Sequence, residues 1–248
     1  MKIFNTALLS LTALYGSAQM NNMSGMGNMK MDTNVTFHMF RNIGASYQKF
    51  DGLYDRIAKF PQYRDGKKIM GTLAGGGITE KGRFVSIGTL TVGHSLSGSK
   101  NKKSSSLAFA GISADWGYNL LPKESRLAIY PTLGIGLEYY RARFNRDVTA
   151  VQFDTVLQNN NTQNLIRPLV FTNLFFNYRG TLNFALKSAD GMGAIGLQAG
   201  YTGSFTKREW RVNDYQMLQN APKDALSRIF ANLYISHNLK WKHKKMQG

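Results

Sequence analysis

The side chains with the most distinctive donor chemistry lie near the start of the chain, where Met20, Met23, Met26, Met29 and Met31 are separated only by Asn, Ser, Gly and Lys. Thioether sulfur is a soft donor that selects Cu(I) over harder ions, and methionines at this spacing could wrap one ion with three or four sulfurs. His38 follows within reach as a further donor. The plainer alternative is a compositionally biased linker, since no period of 2 or 3.6 marks a packed element there. The expectation is either no cofactor at all or Cu(I) at this arm.

A second candidate is hydrolytic. His94 and Ser95, with Glu138 elsewhere, supply the residue types of a Ser, His and acid catalyst. Adjacent residues of a strand point to opposite faces, however, so His94 and Ser95 cannot act together, and Ser97 shares the side of Ser95. Ordinary strand residues are the expected outcome, with no catalytic residue. Asp115, Glu138, Arg179 and Lys240 form a third set, a charge network on the inner face of a barrel. Such a network either seals the lumen or lines a narrow channel for small anionic solutes, and an eight-stranded barrel is just wide enough for its own side chains to fill. The chain has no Gly-rich phosphate loop after a strand, no His-Glu-x-x-His, and no cysteine for thiolate sites or disulfides.

These residues must be positioned by strands. From Arg126 to Phe144, Leu127, Ile129, Pro131, Leu133, Ile135, Leu137 and Tyr139 share one face, opposed by Ala128, Tyr130, Thr132, Gly134, Gly136, Glu138 and Tyr140. From Gly193 to Phe205 the same alternation sets Ile195, Leu197, Ala199 and Tyr201 against Gly196, Gln198, Gly200 and Thr202. The last segment sets Ile229, Ala231, Leu233, Ile235, Leu239 and Trp241 against Asn232, Tyr234, Ser236, Asn238 and Lys240, with His237 breaking the apolar side. An apolar face opposite a polar, Gly-rich one is the dyad pattern of a strand between lipid and a polar interior. Weaker segments at 35–47, 68–78, 83–96, 105–120 and 169–186 bring the count to eight.

The connections alternate in length. Thr79 to Gly82, Pro122 to Ser125 and Lys187 to Gly191 read as tight turns, while 48–67, 97–104, 145–168 and 206–228 are long loops. Short turns at one end and long loops at the other are the arrangement of an up-and-down transmembrane barrel, with both termini on the turn side. Phe50, Leu53, Tyr54, Ile57 and Phe60 fall at helical spacing in the first long loop, a short amphipathic helix that caps the barrel or touches lipid headgroups. Tyr139, Tyr140, Trp116 and Trp241 suit aromatic girdles at the membrane interfaces.

The ends fit an exported chain. Lys2, an apolar run from Ile3 to Tyr15 and Gly16-Ser17-Ala18 read as a signal peptide over 1–18, leaving 19–32 as a flexible Met-rich arm, 33–242 as the barrel and 243–248 as a basic tail. The apolar run is too short to span a bilayer as a helix. The net charge is +17. Export argues against nucleic acid as the partner, so the expected partners are outer-membrane lipids, including lipopolysaccharide phosphates, and small solutes, with the chain a monomer by default. The loops carry 18 Lys or Arg against 8 Asp or Glu, counted over 49–68, 100–103, 141–167 and 207–228.

Particular stretches sharpen this reading. Tyr130-Pro131 followed by Gly134-Ile135-Gly136, Trp116 to Leu121 before a Pro turn, Gly196 to Tyr201 followed by Trp210, and Ala221-Pro222-Lys223 before the last strand resemble recurrent segments of small outer-membrane β-barrel proteins of Bacteroidota. The resemblance covers most of residues 40 to 240 and implies an outer-membrane location and an all-β, eight-stranded antiparallel barrel rather than any activity. One departure is the end, where Trp241 is followed by Lys242 to Gly248 instead of a terminal aromatic residue. The function expected is non-enzymatic: envelope integrity or surface contact behind a sealed lumen. A narrow porin-like channel and soft-metal binding through the arm are the alternatives.

Overall fold

The computed structural model describes residues 35–95, 98–100, 103–122, 124–146, 167–189, 192–212 and 219–238. Eight long strands dominate: β1 (Val35–Gln48), β2 (Ile69–Lys81), β3 (Phe84–Ser95), β4 (Lys103–Tyr118), β5 (Leu127–Asn145), β6 (Leu169–Lys187), β7 (Gly193–Ser204) and β8 (Ser227–Asn238). Each pairs antiparallel with its neighbours in sequence, and β8 pairs back onto β1 from Arg228 opposite Gln48 to Asn238 opposite His38. The sheet is therefore a closed all-antiparallel barrel, as the alternation of faces predicts.

Closure fixes the pitch. The hydrogen-bonded row that begins at His38 runs through Ile78, Ile87, Asp115, Gly134, Arg179, Thr202 and Arg228, then re-enters β1 at Gln48. It rejoins its starting strand ten residues further along. For eight strands that stagger corresponds to a tilt of roughly 40°.

The strand boundaries refine the sequence reading. Thr79, Glu80 and Lys81 belong to β2, and the first tight turn is only Gly82-Arg83, where Gly82 takes the positive φ of 63° that favours glycine. β5 and β6 are the longest strands at 19 residues each. β7 leaves β6 at the pair Asn177 and Ser204, so residues 169–176 of β6 rise with β5 as a ridge above the rest of the barrel. Against that ridge lie Thr172 and Arg211, joined by a reciprocal pair of backbone hydrogen bonds.

The outer wall is apolar. Ile43, Leu73, Leu133, Ile135, Leu182, Leu197, Ile229, Leu233 and Ile235 all point outward, and Leu133 is 75% exposed. In water these side chains would be buried, and a wall of this kind is stable only where a nonpolar solvent covers it. Among the described residues no helix is long and apolar enough to cross a membrane.

The interior is not uniformly polar, which corrects the expectation of a simple polar lumen. At the turn end Phe40, Ile78, Val85, Ile87, Ala128, Tyr130, Ala185 and Tyr234 form an apolar cluster, with the Tyr130 and Tyr234 hydroxyls 2.8 Å apart. A second, larger apolar cluster fills the loop end. Between them lies a layer of Asn42, Thr72, Asp115, Thr132, Glu138, Asn177, Arg179, Thr181, Asn183, Gln198, Arg228 and Asn232. The sequence pattern sees only parity, and parity cannot say whether an inward Phe or Tyr meets water or another ring.

Candidate functional site: a corked lumen over a buried charge layer

The loop between β1 and β2 enters the barrel mouth as the helix α1 (Asp51–Ala58). Leu53, Tyr54 and Ile57 recur at helical spacing and are buried, with Phe50 just before them fully enclosed. Asp51 in the first turn and Arg56 in the last complement the helix dipole. Of the two roles expected for this helix, the geometry gives the cap. Phe60, at the end of the predicted stripe, is instead 51% exposed.

An eight-residue helix is too short to hold itself together in water, so its stability must come from outside. No side chain of its own caps the N-terminus. Asp224, far along the chain, does so: its Oδ1 accepts from the Gly52 amide at 2.7 Å and its Oδ2 from the Leu53 amide at 2.9 Å. Oδ2 also accepts from the Trp210 indole Nε1 at 2.7 Å. A carboxylate at a helix N-terminus satisfies amides with no intrahelical acceptor and meets the positive end of the dipole. The loop between β7 and β8 supplies both Asp224 and Trp210, held together by a two-residue ladder of Arg208–Glu209 against Lys223–Asp224.

Below the helix the rings interlock. Phe50 stacks on Phe175 with centroids 5.6 Å apart and meets Tyr140 and Trp210 edge-on, both at 5.1 Å. Tyr140 is therefore an interior residue with no exposed surface, which corrects its expected place in an outer girdle. Its parity, opposite Tyr139, requires this. Trp116 is outward and exposed, whereas Trp241 lies outside the described residues.

Tyr140 carries the cork down into the charge layer, its hydroxyl donating to Glu138 Oε2 at 2.8 Å. Glu138 Oε1 accepts directly from Arg228 Nη2, and the Arg228 guanidinium lies 4.3 Å from the centre of the Phe109 ring. A second buried pair sits beside the first. Arg179 Nε lies 3.1 Å from Asp115 Oδ1 as an ion pair, and Arg179 Nη1 donates to Ser113 Oγ at 2.7 Å. Isolated charges would not survive at this depth, but each has a counter-charge, with further hydrogen bonds to Glu138, Asp115 and Arg179 and aromatic rings against Arg228.

The row around the barrel explains how Asp115 and Arg179 meet. They belong to strands that are not neighbours, with Gly134 of β5 between them. A Cβ at Gly134 would come within 2.1 Å of Asp115 Oδ1, so only glycine leaves the gap across which the pair closes.

Of the four residues expected to form one network, the structure brings Asp115 to Arg179 but pairs Glu138 with Arg228. Lys240 lies outside the described residues. Arg228 is the partner the sequence reading missed, counted there as a loop cation. The inward parity of Asn232 and Tyr234, carried back to residue 228, would have found it. The separation of His94 from Ser95 follows the strand rule: His94 is exposed outward, and buried Ser95 accepts the Leu107 amide at 2.8 Å. Met20, Met23, Met26, Met29 and Met31 lie outside the described residues, and among the described residues no group of three or more His, Cys, Asp or Glu could hold a metal.

The remaining internal space is small. One internal space near His38, Tyr130 and Tyr234 at the turn end is about 40 Å³, and two near Asn42 and Gln198 are about 10 Å³ each. Since a single water needs at least roughly 10–15 Å³, no continuous water column passes through these spaces.

Neither protein-family models nor curated proteins give a match to the chain. Among solved structures it is similar to a major outer membrane protein from Thermus thermophilus, at 10% identity over 80% of this chain and 99% of that one, with a TM-score of 0.46. It is also similar to Neisserial surface protein A, at 10% identity over 82% and 97%, with a TM-score of 0.42. A third is Ail, the attachment invasion locus protein of Yersinia pestis, at 12% identity over 80% and 99%, with a TM-score of 0.41. The assignment of an eight-stranded closed barrel rests on the strand register itself.

Proposed function

We propose that this chain is a non-enzymatic β-barrel of the bacterial outer membrane, exported by a signal peptide over residues 1–18, with a sealed lumen and a role in envelope integrity or surface contact. The observation that carries the reading is the inversion of its surfaces. Large aliphatic side chains such as Leu133 and Ile235 cover the outside of the wall, while the charged pairs of Asp115 with Arg179 and Glu138 with Arg228 are buried within it. Lipid is the solvent that stabilises such a wall, and a closed barrel satisfies every backbone group of the spanning strands internally. The turn end is then periplasmic and the corked end faces outward, with its basic loops toward lipopolysaccharide. The kinship with Bacteroidota barrels belongs to the same proposal, as does a monomeric state.

The corked mouth supports a sealed barrel over the porin-like alternative. A channel would require α1 to leave its socket and Asp224 to give up three donors. Planar-bilayer recording of the purified protein tests this: a silent membrane is expected, and regular single-channel steps from the unmodified protein would replace the sealed reading with a channel.

A further inference from the structure

The ridge of β5 and β6 carries a feature that neither the barrel nor the cork uses. Along the outward face of β5, Leu137 and Tyr139 give way to Arg141 and Arg143, both exposed. In the next row outward-facing Thr172 of β6 sits beside Arg141, and Arg211 bridges Thr172 from the other side. Residues directly opposite one another in a ladder share a face, so Arg211 is outward as well. Arg141 and Arg143 are about 6.7 Å apart along one strand, and Arg141 and Arg211 about 10 Å apart across two strand spacings.

The surroundings favour an anion. On the β4 side Arg141 faces Ala108 and Arg143 faces Ser106, small neighbours that leave the guanidinium groups room. Other arginines of the loop end are engaged, as Arg146 is with the Tyr63 hydroxyl at 2.9 Å and Arg228 with Glu138. Arg141, Arg143 and Arg211 have no side-chain partner among the described residues. Glu209, two residues before Arg211, is paired with Lys223 Nζ at 3.1 Å.

Directly below these cations the wall turns aromatic. Phe176 stacks on Phe205 at 5.0 Å, Tyr178 meets Phe205 at 5.3 Å, and Tyr139 lies one outward step beneath Arg141. Aromatic side chains of this kind mark the level where acyl chains end and headgroups begin. We infer that Arg141, Arg143 and Arg211 form a site on the outer wall for the phosphate of an anionic glycolipid whose acyl chains lie against Leu137, Leu174 and Phe176. Guanidinium groups suit such a ligand because their fork matches two phosphate oxygens. The inference rests on the outer-membrane reading above.

The test uses the full-length protein folded into phosphatidylcholine vesicles containing either bisphosphorylated lipid A or its dephosphorylated form, with binding read by lipid co-purification. Three proteins are compared: unmodified, R141Q/R143Q/R211Q, and the charge-matched control R56Q/K59Q/K68Q on the cork loop. The first triple is expected to lower retention of the phosphorylated lipid by about tenfold, with little change for the dephosphorylated lipid and little effect of the control. Equal retention by all three proteins, or no dependence on the phosphates, would overturn the site. So would inorganic phosphate or a soluble sulfated polysaccharide displacing the lipid at millimolar concentration, since either would make the arginines a general anion surface. If the unmodified protein does not insert into vesicles, the outer-membrane reading fails first, and the site with it.

Discussion

The Trp210 indole donates to Asp224 Oδ2 at 2.7 Å, inside a carboxylate that simultaneously caps the first turn of a helix about 170 residues earlier in the chain. One side chain therefore fastens the first long loop to the last, and the packed rings beneath it depend on both loops arriving together.

Replacing that carboxylate should release the cork while sparing the barrel. Asp224→Ala leaves two helix amides and the indole N–H without acceptors, at a cost of about 2–4 kcal/mol from the lost cap and the unsatisfied donors. Protease should then cut within 49–68 under conditions where the unmodified protein resists, and Trp210 emission should shift to the red. The strands should keep their thermal transition. Unchanged protease resistance would mean that the aromatic contacts alone hold the cork.

The gap at Gly134 is expected to be equally specific. Gly134→Ala places a methyl group against Asp115 Oδ1 and should cost about 1–3 kcal/mol by overpacking, read as a lower urea midpoint in detergent. In an Asp115→Ala background the same change should cost less but not nothing, because the side-chain clash is gone while the Ala114 carbonyl oxygen, 2.5 Å from the new Cβ, remains. Additive losses would place the strain elsewhere.

Glu138 and Arg228 offer a third test. Glu138→Ala strands a buried guanidinium and should destabilise by about 3–5 kcal/mol, whereas Glu138→Leu with Arg228→Met should recover most of that loss. Equal destabilisation of single and double variants would mean that the pair is not an isolated unit but part of a larger hydrogen-bonded layer.

Alkaline pH should loosen the cork through Tyr54. Its phenol is pushed up from the ordinary value by burial first and by nearby Asp224 second, and it donates to the Lys67 carbonyl at 2.8 Å. A group whose folded pKa is raised gives stability that is complete below the unfolded value, about 10 for a phenol, and that is lost as pH rises toward the folded one. Protease sensitivity of 49–68 should therefore increase above about pH 10. Tyr54→Phe should cost about 1 kcal/mol at neutral pH and flatten the alkaline dependence. An identical rise in the variant would assign the effect to other groups.

Much of the barrel was legible because parity is a strict constraint: one outward Leu133 fixes the direction of Thr132 and Gly134 on either side of it. The helix was legible for the same reason at its own period, since Leu53, Tyr54 and Ile57 can share a face in no other way. The partners of the site were not. Asp224 meets Gly52 because two loops fold into one mouth, and nothing near either residue records the other. Arg228 was readable by parity but looked like one more loop cation. Glu138 was read as inward correctly, yet its partner depends on barrel closure, which brings β8 to the same depth across the lumen.

The most direct measurement for the whole account is the gel migration of the purified chain, unboiled and boiled, after transfer from denaturant into phospholipid vesicles or into buffer without lipid or detergent. A lipid-walled barrel should migrate faster unboiled only after the vesicle arm, and should aggregate in the lipid-free arm. A chain that folds as a soluble, monodisperse species in plain buffer would contradict it, because Leu133, Leu233 and Ile235 could not then be facing outward.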